Sequence, residues 1–276
     1  MVRRLIDAGH EVHVWARRRE AVAELVTQGA QDAGSPEGAV AKADIVVGCL
    51  LGDEVVRAIY AGPEGLLVRA RPGQLFIEHA TFSVNLAKQL SAAATHRGAW
   101  FLDAPVSGGP AGAADGTLAC MIGGEHTQID RARAILDAYC GRVFEAGTSG
   151  AGSTLKLINQ LLVSVHSLVA TEAAAMIRMA GLDPKIAHTA LLAGWGGSVM
   201  LDLLLPRALA DELDGEGATI GGLLPVLELV QEQANVLGVQ SRTLSAASEA
   251  LRVAAHTHAD AGLAALILGS LPRDDE

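Results

Sequence analysis

The sequence predicts an α/β domain with a parallel sheet over residues 1–148 and an all-α domain over residues 149–276. In the first half, strand-like and helix-like segments alternate, which is typical of a parallel sheet with right-handed crossovers. The character changes at the glycine- and serine-rich segment 147–152, beyond which no convincing strand follows. Half of the residues are hydrophobic but only 3% are aromatic, a composition that suits packed helices and buried parallel strands.

Each strand of the first domain is predicted from a short apolar run. Residues 44–50 (DIVVGCL) form a continuous run, as expected of a strand covered on both faces, and the turn pair Pro72-Gly73 precedes another run. The predicted strands are residues 11–15, 44–50, 74–78, 99–103, 117–122 and 143–145. The helices predicted between them are residues 20–28, 85–96 and 128–139.

The second domain begins with a predicted helix over residues 153–180, about 28 residues and roughly 40 Å long. Gly181 and Pro184 end it, and further helices are expected near residues 184–192, 222–237 and 241–256. A membrane span over residues 155–177 is not expected, because the segment carries Lys156, Asn159, Gln160, His166 and Glu172. The apolar length of this helix exceeds what one small domain needs to cover, which suggests a partner subunit.

Charge and cysteine usage exclude several classes of function. The net charge is −10 without long runs of one sign, so a nucleic-acid-binding protein is not expected. Cys49, Cys120 and Cys140 lie far apart without metal-ligand spacing, and no signal peptide is evident, which together indicate reduced thiols in a cytoplasmic protein. His256 and His258 are two positions apart and do not share a helix face, so no metal site is expected.

The start of the chain fits the second part of a Rossmann-type dinucleotide-binding unit. Such a unit runs strand, G-x-G-x-x-G loop, helix, second strand, and the loop holds the cofactor pyrophosphate. Residues 1–8 are interpreted as the end of the helix, which Gly9 stops, and the second strand follows. Because the first strand and the loop are not found, we expect the chain to begin just after them. A start codon assigned too far downstream and a natural truncation are the two explanations.

A glycine-rich turn, DAPVSGGP at residues 103–110, follows the fourth predicted strand. Ligands bind at the carboxyl edge of a parallel sheet, and successive glycines let an anion approach the backbone amides closely. Ser107, Gly108 and Gly109 could therefore form a carboxylate cradle. An ordinary Gly-Pro turn explains the same residues.

Lys156 and Asn159 lie at i and i+3 near the start of the long helix, on one helix face. A buried lysine has a lowered pKa, which suits proton transfer to a developing alkoxide. The alternative is a lysine whose stem covers apolar surface while its ammonium group reaches water.

These segments together resemble the 3-hydroxyisobutyrate dehydrogenase-like, or β-hydroxyacid dehydrogenase, family over nearly the whole chain. The similar segments are residues 5–15 (LIDAGHEVHVW), 43–47 with Asp53, 77–83 (IEHATFS), 103–124 (DAPVSGGPAGAADGTLACMIGG) and 147–159, which has the pattern G-x-G-x-x-x-K-x-x-N. The match over residues 103–124 is the most specific.

The resemblance implies reversible oxidation of a small 3-hydroxy acid to its semialdehyde, with NADP or NAD as cofactor. It implies that Lys156 donates or accepts the proton and that Asn159 orients the substrate. It further implies that the substrate carboxylate binds at Ser107, Gly108 and Gly109. The nicotinamide half of the cofactor would be lined by Leu50, Leu51 and Thr81. A homodimer or homotetramer, built through the helical half, is also implied.

The cofactor preference depends on the basic run Arg17-Arg18-Arg19 after the predicted second strand. Arginine there accommodates the 2′-phosphate of NADP, whereas an acidic residue would bind the NAD ribose. We therefore favour NADP and Arg17 as its contact. A solvated turn with helix-start charges is the alternative.

The sequence also departs from the family pattern. Glu78 stands for Asp, Ala80 for Ser, Gln160 for a second Asn, and Pro225-Val226 for a Lys-Asp pair. The family lysine at that pair reaches the active-site region, so substrate choice could differ here.

A second hypothesis, of another class, is a truncated, cofactor-free binding or dimerisation protein on the same scaffold.

Overall fold

The computed structural model describes residues 1–214 and 217–272 and divides the chain into two compact units. The first unit is Met1–Lys156 and the second is Leu157–Glu276. The division falls inside a continuous helix, eight residues beyond the predicted boundary at residue 148.

The first unit contains eight strands. They are β1 (His13–Val14), β2 (Gln31–Asp32), β3 (Ile45–Gly48), β4 (Leu75–Glu78), β5 (Trp100–Asp103), β6 (Val106–Ser107), β7 (Leu118–Gly123) and β8 (Cys140–Gly147). Its helices are α1 (Val2–Asp7), α2 (Arg19–Thr27), α3 (Pro36–Lys42), α4 (Gly52–Ala61), α5 (Val84–His96), α6 (Gly109–Asp115) and α7 (His126–Leu136), with a 3-10 helix at Leu66–Arg69. Helix α8 (Ala151–Met179) begins here. The predicted α/β class is confirmed.

The strands form two sheets among the described residues. One pairs β1 with β2, and the other has the order β3-β4-β5-β7-β6 with β8 on β7. The β3–β4–β5 and β7–β8 pairings are parallel, as predicted, and β1 pairs in parallel with the unpredicted β2. In contrast, β7 runs antiparallel to both β5 and β6. Only two residues join β5 to β6, and both strands pair antiparallel with β7, so β6 continues in the direction of β5. The chain reverses its direction between β6 and β7, in the segment that contains α6.

The two faces of the large sheet are covered by separate clusters of apolar side chains. Phe76 packs on one side with Tyr60 and Phe101, whose rings meet edge to face, while Leu75 and Ile77 pack on the other. All four residues of β4 are buried. The apolar run that forms β4 is thus explained by burial on both faces. For β3 the prediction of two covered faces was wrong, because this strand lies at the edge of the sheet and is half-buried throughout.

The second unit is helical throughout its described residues, apart from one isolated bridge between Thr219 and Gly262. It contains the rest of α8 and then α9 (Pro184–Ala193), α10 (Val199–Leu209), α11 (Ile220–Val236), α12 (Arg242–His258) and a 3-10 helix at Leu263–Gly269. Helix α10 packs on α9, and α11 packs on α12. In α11 the buried residues recur every three or four positions, at Ile220, Leu223, Leu227 and Val230.

By length and apolar composition, α8 is the one described helix that could cross a membrane. Core helices of soluble proteins meet the same criterion. The buried Ser164, Ser167 and Thr171 donate their hydroxyl hydrogens to carbonyls of the preceding turn, so these polar groups are satisfied within the helix.

Candidate active site

Two buried carboxylates lie side by side at the carboxyl edge of the parallel strands. Glu78 ends β4, Asp103 ends β5, and the two residues are in register. Neither side chain is exposed to solvent. Because parallel strands end at one edge of a sheet, the turns that follow β3, β4 and β5 meet there, and this is where ligands of such sheets bind.

Asp103 fixes the start of α8. Its Oδ1 accepts a hydrogen bond from the Gly150 amide at 2.8 Å, and its Oδ2 accepts one from the Ser153 amide at 2.7 Å. These amides lie at the positive end of the helix dipole, where a carboxylate is stabilised. Burial nevertheless raises the Asp103 pKa to about 6, while the two amides oppose that shift.

Gly152 allows α8 to begin directly against the strands. A Cβ atom at this position would overlap the carbonyl oxygens of Asp103 and Met121. No side chain could move away to relieve that overlap, since both neighbours are backbone atoms. The glycine pattern before Lys156 is therefore explained by close backbone packing.

Lys156 follows one turn later and is 7% exposed. Its Nζ donates a hydrogen bond to the Val106 carbonyl at 2.9 Å, and no carboxylate pairs with it among the described residues. Burial without a countercharge lowers the pKa of this lysine to about 8. An amine with this pKa can exchange a proton near neutral pH.

The glycine-rich turn lies next to this amine. Val106 and Ser107 form β6, so the carbonyl that Lys156 contacts immediately precedes Ser107. Gly108 and Gly109 have φ angles of 125° and 63°, which only glycine adopts without strain. The structure thus brings Lys156 together with Ser107, Gly108 and Gly109, the residues predicted to bind a carboxylate.

The residues predicted to contact the cofactor lie on three turns of the first unit. Leu50 and Leu51 follow β3, and Leu51 is 83% exposed. Thr81 follows β4 and is half-buried. Arg17 is exposed in the turn between β1 and α2. Asn159 belongs to the second unit, and its buried Nδ2 has no hydrogen-bond partner among the described residues.

Family models match both halves of the chain. Residues 1–147 match the NAD binding domain of 6-phosphogluconate dehydrogenase, and residues 150–268 match the NAD-binding domain of NADP-dependent 3-hydroxyisobutyrate dehydrogenase. A 3-hydroxyisobutyrate dehydrogenase of Pseudomonas aeruginosa is 36% identical over 206 residues, which cover 75% of this chain and 69% of that relative. The chain belongs to the 3-hydroxyisobutyrate dehydrogenase family. Members are NAD(P)-dependent oxidoreductases, and the predicted enzyme class and cofactor class are confirmed.

Two further relatives extend this placement in the 3-hydroxyisobutyrate dehydrogenase family. An NAD-dependent L-serine dehydrogenase of Pseudomonas aeruginosa is 37% identical over 206 residues, covering 75% of this chain and 69% of the relative. The solved structure of the Mycobacterium tuberculosis 3-hydroxyisobutyrate dehydrogenase with L-serine superposes with a TM-score of 0.87. That structure is 29% identical and covers 97% of this chain and 93% of its own.

In sheets of this kind the nicotinamide half of a cofactor would lie at the carboxyl edge of the strands. The turns after β3 and β4 face the same edge, and they are tied together: the Ser83 amide and hydroxyl both donate to Asp53, each at 2.5 Å. Glu78 provides a second tie between these turns. A G-x-G-x-x-G loop is not among the 276 residues, so this placement concerns the nicotinamide half alone.

Several supporting residues were not identified as such from the sequence. Asp103 and Glu78 are acidic residues at the ends of apolar strands, which is a signal in itself because buried carboxylates are rare. His79 was not singled out either. Its Nδ1 donates to the Ala104 carbonyl at 2.6 Å, and its Nε2 accepts from the Tyr139 hydroxyl at 2.8 Å. Burial lowers the His79 pKa to about 4, so the ring is neutral and holds two strand ends together.

Proposed function

We propose that this chain interconverts a short 3-hydroxy acid and its semialdehyde, and that Lys156 is the proton donor and acceptor. The observation that supports this most directly is the buried Lys156 amine, with its pKa near 8, beside the turn Ser107–Gly109. The amine and the turn offer the two functions that such a substrate requires, one for its hydroxyl and one for its carboxylate. The cofactor-free binding or dimerisation protein is not favoured, since the chain belongs to a dehydrogenase family.

The nicotinamide cofactor supplies a hydride acceptor for oxidation and a hydride donor for reduction. In oxidation, Lys156 Nζ takes the proton of the substrate 3-hydroxyl group while the C3–H bond breaks and its electron pair leaves as hydride. In reduction, the Lys156 ammonium group returns the proton to the carbonyl oxygen. Ser107, Gly108 and Gly109 hold the carboxylate, and Asn159 orients the substrate through its amide.

We propose NADP(H) as the preferred cofactor, with Arg17 as the contact for the 2′-phosphate. Arg17 is exposed and lies three residues after the end of β1, in the turn where a dinucleotide-binding unit distinguishes the two cofactors. Arg19 pairs with Asp32, whereas no ion pair to Arg17 is found among the described residues. Leu50, Leu51 and Thr81 would flank the nicotinamide ring.

Initial rates with matched substrates test this function. We expect 3-hydroxyisobutyrate or L-serine to be oxidised, and lactate, a 2-hydroxy acid, to be inert. NADP+ should have the lower KM, and Arg17→Ser should raise that KM by roughly 10- to 100-fold, the effect of losing one charge-assisted hydrogen bond, while leaving the KM for NAD+ nearly unchanged. Failure to oxidise any 3-hydroxy acid with either cofactor would contradict the proposal.

We also propose that the chain forms a homodimer or homotetramer through its helical unit. Large apolar side chains of α8, α9 and α10 are exposed in the second unit, including Met176, Ile186, Val199 and Leu203. Clusters of exposed apolar side chains are typical of subunit interfaces. Light scattering on a size-exclusion column should give at least twice the 28.4 kDa mass of one chain, and a monomer would refute the proposal.

A further inference from the structure

One carboxylate oxygen of Glu78 serves two neighbouring turns. Glu78 Oε1 accepts a hydrogen bond from the Leu50 amide at 3.1 Å and another from the Ala80 amide at 2.8 Å. Leu50 belongs to the turn after β3, and Ala80 belongs to the turn after β4. A single atom therefore fixes the distance between the two turns.

Burial of the Glu78 carboxylate lowers the stability of the fold. Glu78 is fully buried, and no lysine or arginine pairs with it among the described residues. Burial raises the Glu78 pKa, which the Leu50 and Ala80 amides and the Tyr60 hydroxyl partly oppose. Its Oε2 is buried and makes no hydrogen bond of good geometry. An apolar side chain of the same volume would avoid this cost.

The surroundings of Glu78 are shaped to admit it. Gly48 lies opposite Glu78 in the β3–β4 register, and a Cβ atom at Gly48 would overlap Glu78 Oε2 and the Tyr60 hydroxyl. The glycine therefore provides the space that the longer acidic side chain needs. The Asp53–Ser83 tie is separate, because it joins the first turn of α4 to the start of α5 and leaves the Leu50 and Ala80 amides to Glu78.

We propose that Glu78 is a positioning residue of the dinucleotide site, which sets the spacing between the turn with Leu50 and Leu51 and the turn with Thr81. This inference rests on the proposed function, in which these two turns flank the nicotinamide ring. Glu78 acts through the two backbone amides and touches neither cofactor nor substrate. Its contribution to cofactor affinity depends on the acceptor oxygen, and the negative charge is secondary.

Three substitutions test separately the hydrogen-bond acceptor, the side-chain length and the negative charge of Glu78. Glu78→Gln keeps an acceptor oxygen at the same distance from the backbone and removes the charge. Glu78→Met keeps the length and removes the acceptor. Glu78→Asp keeps the charge and shortens the side chain by about 1.5 Å. The shorter side chain can still reach the amide two residues on, as aspartate commonly does in turns, but it falls short of the Leu50 amide.

Amide hydrogen exchange measured by NMR on the chain without cofactor gives the first readout. In Glu78→Met, exchange at Leu50 and Ala80 should accelerate about tenfold or more, the effect of losing a hydrogen bond to a charged group. In Glu78→Asp, only the Leu50 amide should accelerate, and Glu78→Gln should protect both. The amide of Leu102, inside β5, is the control for global unfolding. If Glu78→Met does not fold, Glu78→Asp decides the question alone.

NADPH binding, followed by its fluorescence, gives the second readout. The Kd for NADPH should rise more for Glu78→Met than for Glu78→Gln. For each variant, the factor by which Kd rises should be similar to the factor by which amide exchange accelerates. Unchanged exchange at Leu50 in Glu78→Asp and Glu78→Met would overturn the inference, as would faster exchange without any change in Kd. A wild-type chain that binds neither NADPH nor NADH would overturn the proposed function and the cofactor part of this inference. The exchange rates would then still decide whether Oε1 holds the two turns.

Discussion

The pH dependence of turnover should follow the ionisation of Lys156. Burial moves the pKa of this amine from the ordinary 10.5 to about 8, which corresponds to about 3 kcal/mol against the charged form. At pH 7 about one lysine in ten is then neutral, roughly 300-fold more than for an exposed lysine. Oxidation requires the neutral amine as a proton acceptor, so this gain applies directly to the oxidative rate.

The assay is kcat/KM from pH 6 to pH 10 in both directions, with a 3-hydroxy acid or its semialdehyde. The oxidative value should rise tenfold per pH unit and level off above a pKa near 8. The reductive value should be constant below pH 8 and fall above it, because reduction uses the ammonium form. Lys156→Met should lower both by about 10²- to 10⁴-fold, the usual contribution of a general acid–base group.

Lys156→Arg serves as the matched control, because it keeps a positive charge that does not titrate in this range. It should lose the oxidative rate as Lys156→Met does, and its residual rate should not show the inflection near pH 8. An oxidative profile that levels off only near pH 10.5, or the same inflection in Lys156→Met, would refute the assignment of the proton to this amine.

Two further predictions concern the start of α8. Asp103→Ala should lower the free energy of unfolding by about 2 to 6 kcal/mol, since the buried amides of Gly150 and Ser153 each lose an acceptor at about 1–3 kcal/mol. Urea unfolding measures this loss, and a change below about 1 kcal/mol would show that Asp103 does not carry these bonds. Gly152→Ala should destabilise the chain by about 1–3 kcal/mol through overlap with backbone carbonyls and should lower turnover by displacing Lys156. In contrast, Gly269→Ala, where no atom lies within 4 Å of the added Cβ, should stay within about 0.5 kcal/mol of wild type.

The helices and strands that could be predicted from the sequence are those with a clear pattern of apolar residues. The runs that became β4 and β5 are continuous because both sheet faces are covered, whereas β3 lies at the sheet edge and is half-buried. Helix α8 was predicted to within two residues at each end. Strand β2 was not predicted, since Gln31 and Asp32 are polar and exposed and carry no such pattern. The antiparallel placement of β7 was also not predicted, because strand direction depends on pairing between distant segments.

In the candidate site, too, some features could be predicted from the sequence and others could not. The apolar context of Lys156 left two alternatives, a buried amine with a lowered pKa and a lysine whose ammonium group reaches water. The family resemblance favoured the first, which agrees with the position of Lys156 in the structure. The hydrogen-bond partner of Lys156 is the backbone carbonyl of Val106. Every residue has such a carbonyl, so the sequence could not indicate which one Lys156 contacts. Glu78 was noted only as a departure from a family pattern, because its two amide partners come from turns that are brought together by folding.

The hydrogen bonds that Asp103 and Lys156 make at the start of α8 close long loops. Asp103 bonds to amides 47 and 50 positions along the chain, and Lys156 bonds to Val106 across 50 positions. Contacts of such sequence separation form late, since the entropy of loop closure must first be overcome. We therefore expect the lysine to acquire its low pKa only after the chain between residues 103 and 150 has folded. Recovery of catalysis during refolding should accordingly trail the recovery of helix and sheet, so that enzymatic activity marks the last stage of folding in this unit.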